Sequence, residues 1–497
     1  MGSGGFLIDR AAAGANALSF SRINFTDVVD PNLHMGTGEG LPLVESLPLA
    51  FDAGSEIAID ECEFNDFVNT TFLFVDLSST GIPSSLTVRS SNFTNNLGAN
   101  LTTFGRPCCA GAIEVPDANG SSLDIFDSSF SNNIGNGNGG ALNWFVLRFS
   151  DQASPPVRIA NSTFTMNSVQ DGNSGGAVYV EGPDAVSIES STFTMNSAPV
   201  GNGSGGAVFV RNVTTEFTIA DSIFSENDAA LEGGAVFVRN VTTGFTITGS
   251  TFVGNEATDN GGALSSAGPV EIADSRFSSN TAGGDGGAVA FESSTGDAAV
   301  SSTIFSENSA GSFGGCVSAT EIASLQISDS DFTENSAFAA GGLFATGIVG
   351  STDILGCEFR DNTVFIIGGA VVARASPTSD LRIADSGLRS SLFLRNRAQV
   401  GSAGAVFILF QQSVTSVGAN YTANVAQVLG GGIISTDSGP VNLTSNAFER
   451  NTAGSQGGAA FFQDTTGSLP LFTNVSNTFV DNVAFQDPNL SVTGFST

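Results

Sequence analysis

An aromatic residue followed three positions later by asparagine returns along this chain with a period that few folds can accommodate. The pairs are Phe93/Asn96, Phe130/Asn133, Phe164/Asn167, Phe193/Asn196, Phe224/Asn227, Phe252/Asn255, Phe277/Asn280, Phe305/Asn308, Phe332/Asn335, Phe359/Asn362, Phe393/Asn396, Phe448/Asn451 and Phe479/Asn482. Tyr421/Asn424 occupies the position between the pairs at 393 and 448. Successive aromatic positions lie 25 to 37 residues apart, most often 27 or 28. Five residues after many of these asparagines comes Gly-Gly, as in "NIGNGNGGAL", "NEATDNGGAL" and "NTAGSQGGAA". Before nearly every Phe stands an aliphatic residue at minus five and a small one at minus two, as in "ITGSTF", "IADSRF" and "ISDSDF"; "IDECEF" at 59–64 carries this mark ahead of the first full pair.

The segments between these marks are short and rich in Val, Ile, Phe and Thr, for example "AVFV", "FTIT" and "VEIA". They read as strands of four to six residues. Gly or Asn interrupts every stretch that could sustain helical spacing, so helices are not expected. Three short strands and three corners in about 27 residues make one coil of a β-solenoid, each strand pairing in parallel with its equivalent one coil away. A single coil can neither bury its apolar face nor satisfy its own backbone, which is why the unit repeats. The expected fold is all-β, a right-handed parallel β-helix of about 16 coils. Phe is placed inward, its rings stacked at the strand spacing of roughly 4.8 Å. Asn at the following corner can tolerate left-handed torsions and hydrogen-bond backbone groups locally or in the next coil. Gly-Gly suits a corner of positive φ and close backbone approach. Residues 1–90 read as less regular coils of the same solenoid, 91–485 as the regular part, and 486–497 as a tail or junction.

Gly-Gly-Ala followed by Ile, Leu or Val, together with Phe-x-x-Asn, resembles the paired signature of the chlamydial polymorphic outer membrane proteins. The similarity runs over roughly 90–485, with "GGAL" at 139 and "GGAV" at 175, 205, 233, 286 and 368. Variants stand at "GGCV" (314), "GGLF" (341), "AGAV" (403) and "GGII" (431). Similar repeats are also anticipated in protist surface proteins. The resemblance implies a β-helical, surface-exposed, adhesive passenger region; that family's export signal and C-terminal membrane barrel have no counterpart in these residues.

Charge restricts the chemistry further. The net charge is −32, no lysine occurs among the 16 basic residues, and His34 is the single histidine. Such acidity repels nucleic acid and anionic lipid, so neither is an expected partner. No apolar run reaches the length of a membrane helix, and direct membrane insertion is not expected. Acid–base catalysis lacks its usual residues. His34 sits in "NLHMGTG", and acid pairs such as Asp60–Glu61 stand alone. No catalytic residue, cofactor or metal ligand is assigned; the glycine-rich turns "GNGNGG" and "GGDGGA" make calcium the one candidate ion. Trp144 reads as core or groove packing, and Cys62, Cys316 and Cys357 as buried thiols in small-residue positions. Cys108 and Cys109 are chain neighbours, the candidates for a vicinal bridge. Asn-x-Ser/Thr acceptors for N-glycosylation stand at Asn24, Asn69, Asn92, Asn100, Asn119, Asn161, Asn202, Asn212, Asn240, Asn420, Asn442, Asn474 and Asn489.

The expected function is that of an extracellular or cell-surface structural or adhesive protein without enzymatic activity. Its longest insertions, at 97–109, 145–158 and 374–390, are the expected binding surfaces. Neither terminus reads as a capping helix, so the expected alternatives are continuation in a longer polypeptide or end-to-end stacking into a fibre. The expected partners are further copies, other surface proteins or glycans. The competing reading is a β-helix that binds or cleaves polysaccharide.

Overall fold

The computed structural model describes residues 16–22, 24–26, 49–51, 55–67, 73–75, 85–98, 101–103, 106–108, 110–115, 121–146, 156–292, 296–374 and 379–496. They form two compact units, Met1–Phe245 and Thr246–Thr497. Both are built from the same coil, a parallel β-helix, and the described residues contain no helix.

One coil of the first unit shows the path. The chain runs through Val186–Glu189, turns into Thr192–Thr194, turns again into the two-residue strand Ser197–Ala198, passes the glycines, and returns through Val208–Val213. In the second unit the equivalent segments are Leu325–Ser328, Asp331–Thr333, Ser336–Ala337 and Leu343–Thr346. Each pairs in parallel with the same segment one coil on, as in Ile188↔Ile219, Phe193↔Phe224 and Ala337↔Val364. Three strands per coil were expected; the two-residue strand after the ladder asparagine is a fourth. It is too short to register as a run of β-formers, yet neighbouring coils pair along it. An antiparallel pair, Leu101–Thr103 with Arg106–Cys108, lies within the insertion at 97–109.

Alternation along each strand decides what is buried. Val157–Ala160 and Val270–Ala273 both run buried, exposed, buried, half-buried, the signature of a sheet with one wet face. The phenylalanines of the repeat from Phe64 to Phe448 point inward and are fully buried, and Phe479 in the last coil is half-buried. In the first unit Phe130, Phe164 and Phe193 stack at 4.7 Å between centroids and within 3° of parallel. In the second unit the column runs from Phe252 to Phe479 at 4.4 to 5.2 Å. The inter-strand spacing dictates that separation; burial of each ring stabilises by roughly 2 to 3 kcal/mol. Tyr421 joins this column with its hydroxyl 3.0 Å from Ser416 Oγ. Ser416 stands in register with Ile383 and Leu443, so a polar residue replaces an aliphatic one where the phenol oxygen needs a partner.

The corners are held open by left-handed residues, but not by the ladder asparagines, which is a correction to the sequence expectation. The residue just before each asparagine takes positive φ: Met195 53°, Glu226 55°, Glu307 59° and Glu334 57°. A second such residue precedes each Phe strand, as Ser190, Asp221, Ser302 and Asp329 show. Turning the chain one residue early lets the asparagine side chain point into the core. Each left-handed residue costs on the order of 1 kcal/mol, and its N–H donates to the next coil, as Met195 does to Ser225 O at 2.9 Å.

The two glycines of each pair do different jobs. The first takes positive φ, 66° at Gly205 and Gly286. The second lies where a Cβ would meet the carbonyl oxygen of the next coil's glycine, at 2.1 Å for Gly287 against Gly315. Gly287→Ala is expected to destabilise the second unit by at least about 3 kcal/mol, measured by denaturant unfolding. Unfolding unchanged by this substitution would contradict the close approach.

Candidate functional site

The residues that the repeat singles out form two buried ladders. Asn308 Nδ2 donates to Asn335 Oδ1 in the next coil at 3.0 Å and to Phe277 O in the previous coil at 3.1 Å. The backbone N–H of Asn308 donates to the same Oδ1 at 2.9 Å. Asn280, Asn335 and Asn362 repeat the pattern in the second unit, as do Asn167 and Asn196 in the first. Asn227 Nδ2 donates to Phe193 O at 3.0 Å, Asn255 Nδ2 to Asn280 Oδ1 at 2.9 Å, and Asn451 Nδ2 to Asn482 Oδ1 at 3.0 Å. Both amide hydrogens and the carbonyl are thereby used inside a core where an orphaned polar group would cost on the order of 1 to 3 kcal/mol.

The second ladder was not anticipated. At the small position two before most of these Phe residues, a serine or threonine oxygen accepts the N–H of the preceding coil's equivalent residue and donates to the carbonyl two residues upstream, a place that Asn446 and Asn477 take in the last two coils. Ser128 N–H donates to Ser162 Oγ at 3.2 Å, and Ser128 Oγ to Phe126 O at 2.7 Å. In the second unit Ser250 N–H donates to Ser275 Oγ at 3.1 Å and Thr303 N–H to Ser330 Oγ at 3.1 Å. The signal was present as a preference for hydroxyls over alanine at that position. Cys62 and Cys357 occupy it, and their N–H groups still donate, to Ser91 and Ser391. Cys62, Cys316 and Cys357 are buried, and Cys316 and Cys357 are free thiols. Burial pushes the Cys357 thiol up to about 12 and that of Cys316 well above its ordinary value.

Trp144 faces the core, in register with Val115 and Val180, and its indole N–H has no hydrogen-bond partner. It is therefore unavailable to an external ligand. On the outer side of the same wall lies a polar cluster: Tyr179 OH donates to Glu181 Oε2 at 2.9 Å, and Arg211 meets that carboxylate at 2.8 Å while lying 5.7 Å over the Tyr179 ring. Asn212 Nδ2 donates to Glu181 Oε1 at 3.3 Å, and Asn240 Nδ2 to Asn212 Oδ1 at 3.1 Å. These two acceptor asparagines are thus already engaged with each other and with the cluster. Asn92, Asn161, Asn202, Asn474 and Asn489 are exposed, as is Asn240, whereas Asn420 and Asn442 are half-buried. Asn24 begins a strand; Asn69, Asn100 and Asn119, like His34 and Cys109, lie outside the described residues.

The glycine-rich turns bind neighbouring backbone. Asn260 Oδ1 accepts the Asp285 N–H at 2.8 Å, and Asp285 Oδ1 accepts the Phe313 N–H at 3.0 Å. Burial, with a further contribution from Asp259, holds the Asp285 carboxyl above the ordinary range despite that bond. Among the described residues no three His, Cys, Asp or Glu side chains converge as a metal site would require. The exposed charges pair between coils, as in the two bonds of Arg395 to Asp361 at 2.7 and 2.6 Å. A groove of about 450 Å³ lies in the second unit, lined by Gln456, Phe461, Gln463, Asp487, Ser491 and Thr493 among others.

Comparison with known proteins agrees with the architecture. Residues 176–364 match a family model described as a right handed beta helix region. No curated protein matches the chain. Among solved structures, the periplasmic alginate epimerase AlgG is similar at 8% identity over 89% of this chain and 78% of its own, with a TM-score of 0.18. No helix among the described residues is long and apolar enough to cross a membrane.

Thiol chemistry tests the core assignment. In the folded protein at pH 8, Cys316 and Cys357 are expected to resist an alkylating reagent and to react fully once denaturant is added, read by mass spectrometry of peptides. Rapid labelling of either thiol in the folded chain would contradict their burial.

Proposed function

We propose that this chain is an extracellular or cell-surface protein whose role is structural or adhesive rather than enzymatic, and that it joins end to end with further copies. The observation that carries this reading is the use of every repeated side chain inside the coil. Phe, Asn, Ser and Gly-Gly all hold one coil to the next, which leaves the repeat no residue type dedicated to chemistry. The outer positions of the Phe strands are small, polar or charged in most coils, as in Thr163 and Thr165, or Asp331 and Thr333. Such a surface is suited to solvent and to contact with other macromolecules. The likeness of the repeats to chlamydial polymorphic outer membrane proteins supports a surface location and an adhesive role. The parallel pairing that joins coil to coil is the same chemistry that would join one copy to the next.

A second reading has its own observation. The groove at Gln456, Gln463, Ser491 and Thr493 presents amides and hydroxyls beside one carboxylate, Asp487, a set that suits the hydroxyl groups of a neutral glycan.

The test combines imaging with binding. Electron microscopy of the purified chain at high concentration is expected to show end-to-end assemblies. A glycan and cell-binding assay is expected to show saturable retention without shortening or epimerisation of any polysaccharide offered. Dispersed particles at all concentrations would remove the fibre, and turnover of a polysaccharide would overturn the non-enzymatic reading.

A further inference from the structure

In the second unit the acidic residues are not spread evenly around the coil. The stretches from the short strand through the post-glycine strand, residues 309–320, 336–346, 363–374, 397–412, 425–436 and 452–463, contain no Asp or Glu. The remaining walls of the same coils carry Glu307, Asp329, Asp331, Glu334, Asp353, Glu358 and Asp361. In a chain of net charge −32, one side of this unit is free of carboxylates over six successive coils. The corresponding stretches just before it are not: 256–267 holds Glu256 and Asp259, and 281–292 holds Asp285 and Glu292.

That same side bears a ridge of exposed apolar side chains. Phe313, Phe338, Phe365, Val400 and Val428 are 36%, 43%, 50%, 51% and 41% exposed. Phe338 and Phe365 share one register position, and Val400 and Val428 share the next, one residue further along the coil, where the Val400 N–H donates to Phe365 O and the Ile366 N–H to Phe338 O; Phe313, opposite Ala339, lies beside this line. Phe338 and Phe365 stack at 5.7 Å, and Phe313 packs on Phe344 at 4.7 Å. Exposed apolar patches of this continuity mark contact surfaces in soluble proteins. Arg374 and Arg397 are exposed in these stretches and form no ion pair among the described residues.

We infer that this ridge is a side-to-side contact between two copies of the chain, related by a two-fold axis, in which the carboxylate-free faces meet. Electrostatics selects the occupant. Two molecules this acidic repel wherever their acid-bearing walls face each other, and this side lets them approach with the carboxylates turned away. An acidic foreign partner would call for a basic face, and two arginines in six coils do not make one. A two-fold contact needs a surface complementary to itself, which the adjoining pairs Phe338 with Phe365 and Val400 with Val428 supply along four successive coils. Four rungs at about 4.8 Å give a ridge on the order of 15 Å long. Its pairing would bury on the order of 800 Å², at the weak and transient end of specific interfaces. This contact lies along the side of the coils and is independent of end-to-end joining and of adhesion.

Sedimentation velocity on the full chain, from about 5 to about 500 µM and at low and high sodium chloride, reads the prediction over the affinity range expected of so small an interface. Association that strengthens with salt is expected, because screening removes the net repulsion while leaving the apolar contact, and its loss in the ridge variants separates it from end-to-end joining. Phe365→Asp with Val400→Asp should weaken association at least about tenfold, with circular dichroism and thermal unfolding unchanged; Phe365→Ser serves if the double variant misfolds. Leu388→Ser, on an exposed side chain outside the carboxylate-free stretches, should leave the association as it was. A chain that stays monomeric throughout, associates less as salt rises, or responds to Leu388→Ser but not to the ridge variants would overturn the proposal.

Discussion

The interaction on which the rest of the structure depends is the buried amide ladder. An asparagine side chain that donates to the coil before it and the coil after it can be satisfied only if both coils arrive in register. Asn335 makes this concrete: its Oδ1 accepts two bonds from Asn308, and its Nδ2 bonds Phe305 O and Asn362 Oδ1. A slip of one residue in either neighbour would leave several polar groups buried without partners, at on the order of 1 to 3 kcal/mol each. The phenylalanine column supplies burial, but stacked rings tolerate sliding. The amides do not, and they fix where one coil sits on the next within each unit.

Once register is fixed, the outside of the coil is free to vary. Corner residues with positive φ include Ser, Asp, Glu, Met, Asn and Arg, since each needs only its backbone N–H to reach the next coil. Length varies at the loops without disturbing the ladders: Asn96 and Asn133 are 37 residues apart, Asn255 and Asn280 only 25, and both pairs bond Nδ2 to Oδ1 at 2.8 to 2.9 Å. That freedom is what allows charge to be sorted by wall in the second unit, acid on some sides and an apolar ridge on another.

Much of this was legible in the residues. Period, strand content, the inward Phe, the paired glycines and the absence of helix all follow from patterns that recur at fixed offsets, because the coil interior imposes the same demand each time. Three features were harder to read. The left-handed residue sits one place before the asparagine, and since any of several residue types can fill it, no letter recurs there. The hydroxyl ladder was visible only as smallness: Ser and Cys look alike as small residues, although Ser162 Oγ both accepts from the coil before and donates along its own, and the Cys62 Sγ bond to Asp60 O at 3.3 Å is weaker. The two-residue strand is too short to carry a period. The surface was the least legible part, because no repeat governs it: the apolar side chains from Phe338 to Val428 become neighbours only when loops of unequal length are laid in register.

The central claim is that the ladder asparagines are buried and bonded through both ends of their side chains. Hydrogen exchange of side-chain amides, read by NMR on protein labelled with nitrogen-15 at asparagine, addresses it directly. Asn280, Asn308, Asn335 and Asn362 should retain their amide hydrogens far longer than the exposed Asn161, Asn202 and Asn474. Exchange of the ladder amides as fast as those surface ones would show that the coils are not held together in this way.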